Sequence, residues 1–362
     1  MTQEMLGSRP MSRRRIVLLV ALVLLLSVVG FVLNTLADAG AFRTLSPHGF
    51  EQCTKVSGFT GAEDLVFDAS SGLAFISSND FRAMEAGAPT PGIIFSWDVT
   101  AKGAPKAVPH DLAVLHPHGL GLFVRDGVKR LFVVNHPTRV SSTVELFDVL
   151  DGPTLKHVRT VEAPEFISLN DVAPVGPEQF YVTIDAGTRA GTFGRVVETF
   201  ARMPWSGLGF FDGTKASVAV SGLRYANGVA VSRDGATVFV SETTGRRLLA
   251  FSRDASSGAL TQRAELTTEA GLDNISIGDD GALLVGAHPK MLEFLGHAKD
   301  PAHHSPSQVL RATYTNGAFE LTDVGIDDGS TLSGSSVAVP LGGGRTLVGS
   351  VFEHHVLDCQ LR

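Results

Sequence analysis

Apolar and polar positions alternate along this chain in short runs, and the alternation recurs with a period of about fifty residues. Each repeat opens on polar residues, enters an apolar run, turns, and returns in a second apolar run. The six openings are Glu63-Asp64-Leu65, His118-Gly119-Leu120, Asn170-Asp171-Val172, Asn227-Gly228-Val229, Asn274-Ile275-Ser276 and Ser335-Ser336-Val337. Their return runs begin at Leu73, Leu131, Phe180, Val238, Leu283 and Leu347. A period of two predicts half-buried strands, and Arg233-Asp234-Gly235 and Asp279-Asp280-Gly281 supply hairpin turns between the paired runs. Third runs follow at Ile93-Ile94-Phe95, Val144-Glu145-Leu146 and Leu248-Leu249-Ala250. Three to four strands in each of six repeats predict an all-β fold, a six-bladed β-propeller over 40–362, because such units bury their faces only against neighbours. A linear solenoid is the competing arrangement.

The amino terminus reads differently. Arg13, Arg14 and Arg15 precede 16–33, an uncharged apolar run with Ser27 as its one polar side chain, long enough to cross a bilayer. The chain therefore divides into a basic cytoplasmic segment 1–15, a signal or anchor helix 16–39, and the propeller. The basic flank places everything beyond residue 40 outside, facing the periplasm or extracellular side, or secreted if cleavage follows Ala39 in the pattern Ala37-Asp38-Ala39. A buried terminal core helix is the alternative, and Ser12-Arg13-Arg14 also carries a twin-arginine hint.

Composition narrows the function classes. A net charge of −7, from 30 basic and 37 acidic residues, lacks the basic stripe that nucleic acid requires. There are two cysteines, Cys53 and Cys359, so one intramolecular disulfide is the pairing available, tying the ends of the domain together; two unpaired buried thiols are the alternative. Closure of that kind suits a circular fold and disfavours the solenoid.

The inner strands of a propeller line its channel, so the residues that open the repeats should meet there: Glu63, His118, Asn170, Asn227, Asn274 and Ser335, with Asp64, Asp171 and Asp273 beside them. Any one Asp or Asn at a strand entry is equally a turn former. As a set, carboxylates and amide oxygens suit Ca²⁺ better than Zn²⁺, and a cation would offset the repulsion of Glu63 and Asp273. His118, with His136 one hairpin on, is a candidate catalytic base; a hydrogen-bonded structural role is the alternative.

Segments including Gly61-Ala62-Glu63-Asp64-Leu65, His116-Pro117-His118-Gly119, Val134-Asn135-His136-Pro137, Leu169-Asn170-Asp171-Val172, Ala226-Asn227-Gly228 and Asp273-Asn274-Ile275-Ser276 resemble the serum paraoxonase/arylesterase family in order and spacing, nearly from Cys53 to Cys359. The resemblance implies a hydrolase that opens lactones and cleaves aryl esters, with two calcium ions. A catalytic ion would take Glu63, Asn170, Asn227, Asp273 and Asn274. A deeper structural ion would take Asp64, Asp171 and the backbone carbonyl of Leu120. It further implies that His118 and His136 are the catalytic pair, that 79–91 is an active-site loop, that 186–213 holds a membrane-facing helix, and that the amino-terminal helix is retained as an anchor. A calcium-bound carboxylate is the rival base. A gluconolactonase-like enzyme and a non-enzymatic exported propeller stapled by calcium are the other readings, and the absence of a Gly-x-Ser-x-Gly elbow disfavours a serine hydrolase.

Overall fold

Alternating side chains bury on both faces when sheets stack around an axis, and that is what these runs do. The computed structural model describes residues 11–101 and 103–361, so much of the basic segment 1–15 lies outside the described residues. Among the described residues the strands form six four-stranded sheets, each antiparallel throughout. The inner strands are Leu65–Asp68, Pro117–Arg125, Leu169–Pro174, Ala226–Val231, Gly271–Ile277 and Ser335–Gly342. Each packs against the inner strands of both neighbouring blades, the first also against the last, so the ring is complete. The core lies between blades. Phe132 and Leu146 of blade 2 meet Val172 and Phe180 of blade 3, and Ala230 and Leu248 of blade 4 meet Ile275 and Val285 of blade 5.

Closure comes from the start of the domain. Cys53–Ser57 is the outermost strand of blade 6, antiparallel to His355–Gln360, with Cys53 opposite Cys359 and disulfide-bonded to it. The solenoid is excluded. The three third runs are third strands, and Gly235 and Gly281 hold positive φ in the expected turns.

At the residues that open blades 2 to 6 the pairing register slips, between Pro117 and Leu120, Leu169 and Val172, Ala226 and Val229, Leu272 and Ile275, and Ser335 and Val337. A bulge there bends the strand and re-aims the side chains it carries. Second-strand hydroxyls brace the openings of blades 1, 3 and 4: Ser77 accepts the N–H of Asp64, Thr183 that of Asp171, and Ser241 that of Gly228, at 3.0, 2.9 and 2.7 Å. Thr183 and Ser241 also donate to the carbonyls of Asn227 and Asp273 in the next blade.

Four helices complete the described residues. The apolar helix α1, Arg13–Asp38, buries none of its side chains within the molecule, which rules out a core helix and leaves a candidate membrane span. The others, α2 (Phe81–Glu85), α3 (Phe193–Phe200) and α4 (Met291–Lys299), follow the second strands of blades 1, 3 and 5, so all stand at one end of the channel. The last turn of α1 docks at that end. Asp38 pairs with Arg202 and with Arg246, and the Ala39 carbonyl accepts the Met291 N–H at 2.9 Å.

Candidate metal centre and active site

A cavity of about 400 Å³ opens at the helix-bearing end, and Glu63, His118, His136, Asn170, Asn227 and Asp273 line it together. Residues from blades 1 to 5 thus converge as the repeat predicts. Asn274 joins them by donating its amide nitrogen to Glu63 Oε1 at 2.8 Å. Ser335 does not: its hydroxyl donates to the Gln308 carbonyl, stitching blade 6 to blade 5, and Ser336 instead reaches the Glu63 carbonyl. The register slip at the opening of blade 6 shifts the inward position by one residue.

The ring is built for oxygen donation. Asn227 ties its amide nitrogen to Thr243 Oγ1 at 3.0 Å, Asn274 ties its own to Glu63, and both leave their oxygens bare. Asn170 Oδ1 and Glu63 Oε2 are likewise buried with no hydrogen-bond partner among the described residues. Four buried acceptors without donors are costly unless something positive meets them. The carboxylates agree. Burial raises Asp273, against the hydrogen bond from His288 at 2.7 Å, and the charge of Glu63 raises it further. Hard oxygens without sulfur fit a calcium-type cation. No three His, Cys, Asp or Glu side chains group as a metal cluster among the described residues, so the donor set depends on its amide oxygens.

A second tier lies below the cavity. Asp64 accepts the N–H groups of Leu65 and of Leu120 in the next blade, at 2.8 and 2.6 Å. Asp171 repeats this with Val172 and Val229, at 2.7 Å each. Burial pushes both carboxyls well above the usual carboxylate range, with Glu63 adding to the rise of Asp64 and Asp64 to that of Asp171. Two acids that repel each other in a buried channel are a second place for positive charge. Leu120 meets this tier through its amide.

His118 stands over the ring, with Nε2 3.6 Å from Glu63 Oε1 and Nδ1 2.9 Å from His136 Nε2. Ser142 Oγ lies 3.2 Å from His136 Nδ1 and also accepts the Leu169 N–H. Burial, reinforced by His118 and His116, holds His136 down to about 3, so it is neutral at ordinary pH. Burial also opposes the charged form of His118, but the Glu63 carboxylate outweighs it and raises that pKa.

With this geometry in place the comparisons with known proteins are decisive. The arylesterase family profile matches residues 48–361. This chain belongs to the arylesterase family. It is 32% identical to serum paraoxonase/arylesterase 1 of Rattus norvegicus over 334 residues, covering 89% of this chain and 92% of the relative. Serum paraoxonase/lactonase 3 of Oryctolagus cuniculus is 30% identical with the same coverage. Among solved structures, a gluconolactonase from Xanthomonas campestris (TM-score 0.53, 13% identity, 88% of this chain and 96% of that one) shares the fold. So does regucalcin, a calcium-binding protein from Agrobacterium tumefaciens (TM-score 0.53, 15% identity, 86% and 94%). As an arylesterase family member the chain is a hydrolase.

Several residues around the candidate site escaped the sequence. His288 bonds Asp273 and stacks on Phe294 with centroids 3.9 Å apart. Phe81 packs on His118 at 5.1 Å. Asp185 and Arg195 pair at 3.5 Å on the cavity wall. Phe81 lies in the loop 79–91 and Arg195 in the segment 186–213 that the resemblance singled out, but neither was named as a site residue.

Proposed function

We propose that the protein is an exported, calcium-dependent hydrolase that opens lactones and cleaves aryl esters at the channel mouth. The observation that carries this is the set of bare buried oxygens on Glu63, Asn170, Asn227 and Asn274 directly below a hydrogen-bonded histidine pair. Glu63, Asn170, Asn227, Asp273 and Asn274 would hold one ion; Asp64, Asp171 and the carbonyl of Leu120 would hold a second, structural one. Calcium supplies, when bound, the positive charge that polarises an ester carbonyl.

The chain's own residues do the rest. Neutral His136 donates Nδ1–H to Ser142 and accepts the Nδ1–H of His118, which fixes the His118 tautomer and leaves its Nε2 lone pair facing the ring. That nitrogen takes the proton of the attacking water. A cation held by Glu63 would weaken that carboxylate's pull on the His118 imidazolium and so favour the neutral base. Phe81, Phe294, Leu292, Leu295, Phe200 and Phe352 wall the cavity, which suits apolar lactones and aryl esters rather than polyhydroxylated sugar lactones.

The same mouth carries the end of α1, and we read that helix as a retained anchor. It has 26 residues, about 39 Å at 1.5 Å each, against a hydrocarbon core of about 30 Å. Asp38 and Ala39 are part of the packed surface, so a cut after Ala39 would remove Asp38 from its two arginines.

The test is hydrolysis of phenyl acetate, an aliphatic lactone and gluconolactone by the purified protein, with calcium and with chelator. Activity on the first two that chelation abolishes is expected, together with a stability loss of about 2.7 kcal/mol if free calcium had stood at a hundred times Kd. Full activity in chelator would remove calcium from the reading, preference for gluconolactone would replace the substrate class, and undiminished turnover by His118→Gln would move the base to a carboxylate.

A further inference from the structure

We propose that Glu145 is a positioning residue for the hydrolysis, its buried carboxylate holding Ser142, His136 and His118 in one hydrogen-bonded line. The inference rests on the reading of His118 as the base. Side chains alternate along a strand, so on the third strand of blade 2, Ser141–Leu150, Thr143 and Glu145 share the face that Ser142 does not. Glu145 is only 2% exposed, and a carboxylate so buried is costly unless donors meet it. Four do. Oε1 accepts from Asn135 Nδ2 at 3.1 Å and Thr143 Oγ1 at 2.6 Å, and Oε2 accepts from His157 Nε2 at 2.9 Å and Thr160 Oγ1 at 2.6 Å. The two oxygens serve different ends. Oε2 ties down the outermost strand of the blade, Thr154–Val161, and neither of its partners lines the cavity. Oε1 holds the two residues that adjoin His136 and Ser142 in the chain.

Asn135 carries the hold to His118. Its Nδ2 also donates to the Val114 carbonyl at 3.2 Å, and its Oδ1 accepts the His116 N–H at 2.8 Å. The amide therefore cannot turn round without setting acceptor against acceptor, or donor against donor, at all three contacts. The His136 N–H in turn donates to the His116 carbonyl at 3.1 Å. Through Asn135, Glu145 thus reaches the segment that leads into His118.

The strand ladder alone does not place these side chains. His118 lies in the register slip between Pro117 and Leu120, and His136 and Ser142 lie in a second slip, between Asn135 and Thr138 on one strand and Thr143 and Ser141 on its partner. Asn135 pairs with Pro117 on one side and with Thr143 on the other, so it is the last regular rung before both slips. A bulge frees a side chain to be re-aimed, and its direction then depends on what grips the flanking residues. The contacts of His118 Nδ1 with His136 Nε2 at 2.9 Å and of His136 Nδ1 with Ser142 Oγ at 3.2 Å join residues from these irregular stretches. Glu145, gripping Asn135 and Thr143 at the shared rung, supplies the register that the ladder lacks there.

The experiment uses the full chain in detergent with calcium and reads kcat and KM for phenyl acetate, with the melting temperature of each variant. Thr143→Val and Thr160→Val each remove one hydroxyl 2.6 Å from the same carboxylate, the first beside Ser142 and the second on the outermost strand. Thr143→Val should lower kcat about 10-fold with KM little changed, because a small misplacement of the base is felt in turnover. Thr160→Val should keep the wild-type kcat. Equal losses in the two variants, or none in Thr143→Val, would overturn the proposal, since a carboxylate that only staples the blade would not distinguish its two oxygens. Glu145→Leu should cost on the order of 100-fold in kcat, whereas Glu145→Gln, whose oxygen can still accept from Asn135 and Thr143, should recover most of it. In a His118→Gln background Glu145→Leu should cost less than about threefold, because the line it holds no longer ends on a base. An undiminished loss in that background would overturn the proposal alone. His118→Gln as active as wild type would overturn the reading of the base, and the proposal with it.

Discussion

Asn227 and Asp171 stand close in the same channel, yet replacing each should have opposite consequences. Asn227 gives its nitrogen to Thr243 and holds its oxygen free, so Asn227→Ala removes a donor without unpairing a backbone group. Activity should drop on the order of 100-fold with a small change in melting temperature. Asp171 caps two backbone amides across a blade boundary, and Asp171→Ala would strand both at about 1–3 kcal/mol each. Thermal denaturation should therefore separate the two variants, and equal destabilisation would argue that the tiers are not distinct. His136 supports a pH prediction at the same scale. Its folded pKa, about 3, lies below the unfolded value of about 6.5, so its contribution is present above pH 6.5 and is lost as pH falls toward 3. Urea midpoints measured between pH 6.5 and 4 should fall more steeply in wild type than in His136→Gln; parallel profiles would show that His136 carries none of the acid sensitivity.

Among the elements, the inner strands were legible because their openings are polar where a packed strand would be apolar, as at Asn170-Asp171 and Asn227. The braces were not. Ser77, Thr183 and Ser241 are single hydroxyls inside apolar strands, and nothing local distinguishes them from solvent-facing positions. The register slip at Ser335 was equally silent, which is why Ser336 and not Ser335 reaches the Glu63 carbonyl. Helices α2 and α4 escaped because 5 and 9 residues are too short for a helical period to show against strand alternation. The strand pair that holds Cys53 against Cys359 was half legible: the bridge followed from the count of cysteines, its place in blade 6 did not. With a sequence separation of 306 between the cysteines, the chain-entropy model gives the bridge about 5 kcal/mol. The Cys53→Ser, Cys359→Ser double variant should lose several kcal/mol in denaturant unfolding while keeping its β-sheet signature when folded. Unchanged stability would mean that strand pairing alone closes the ring.

For the whole molecule, the docked end of α1 joins the apolar helix to the cavity-bearing end of the propeller. Asp38 meets Arg202 and Arg246, each of which has positive φ. Asp38→Ala in membrane-embedded protein should speed proteolysis of the exposed stretch near Phe42 without altering the melting of the propeller. A cleavage rate equal to wild type would leave the latch without effect.

The origin of the closing strand sets an order on biosynthesis. Residues 53–57 are made before all six inner strands, but the edge they complete, 355–360, is made after them. Until 355–360 are made blade 6 lacks its third strand and the ring cannot close. Ring closure thus waits for that strand, and until then the first strand is an unpaired edge open to other chains. Deleting 355–360 would remove the partner of 53–57, so a lesion confined to that one strand would act as a defect of the entire ring.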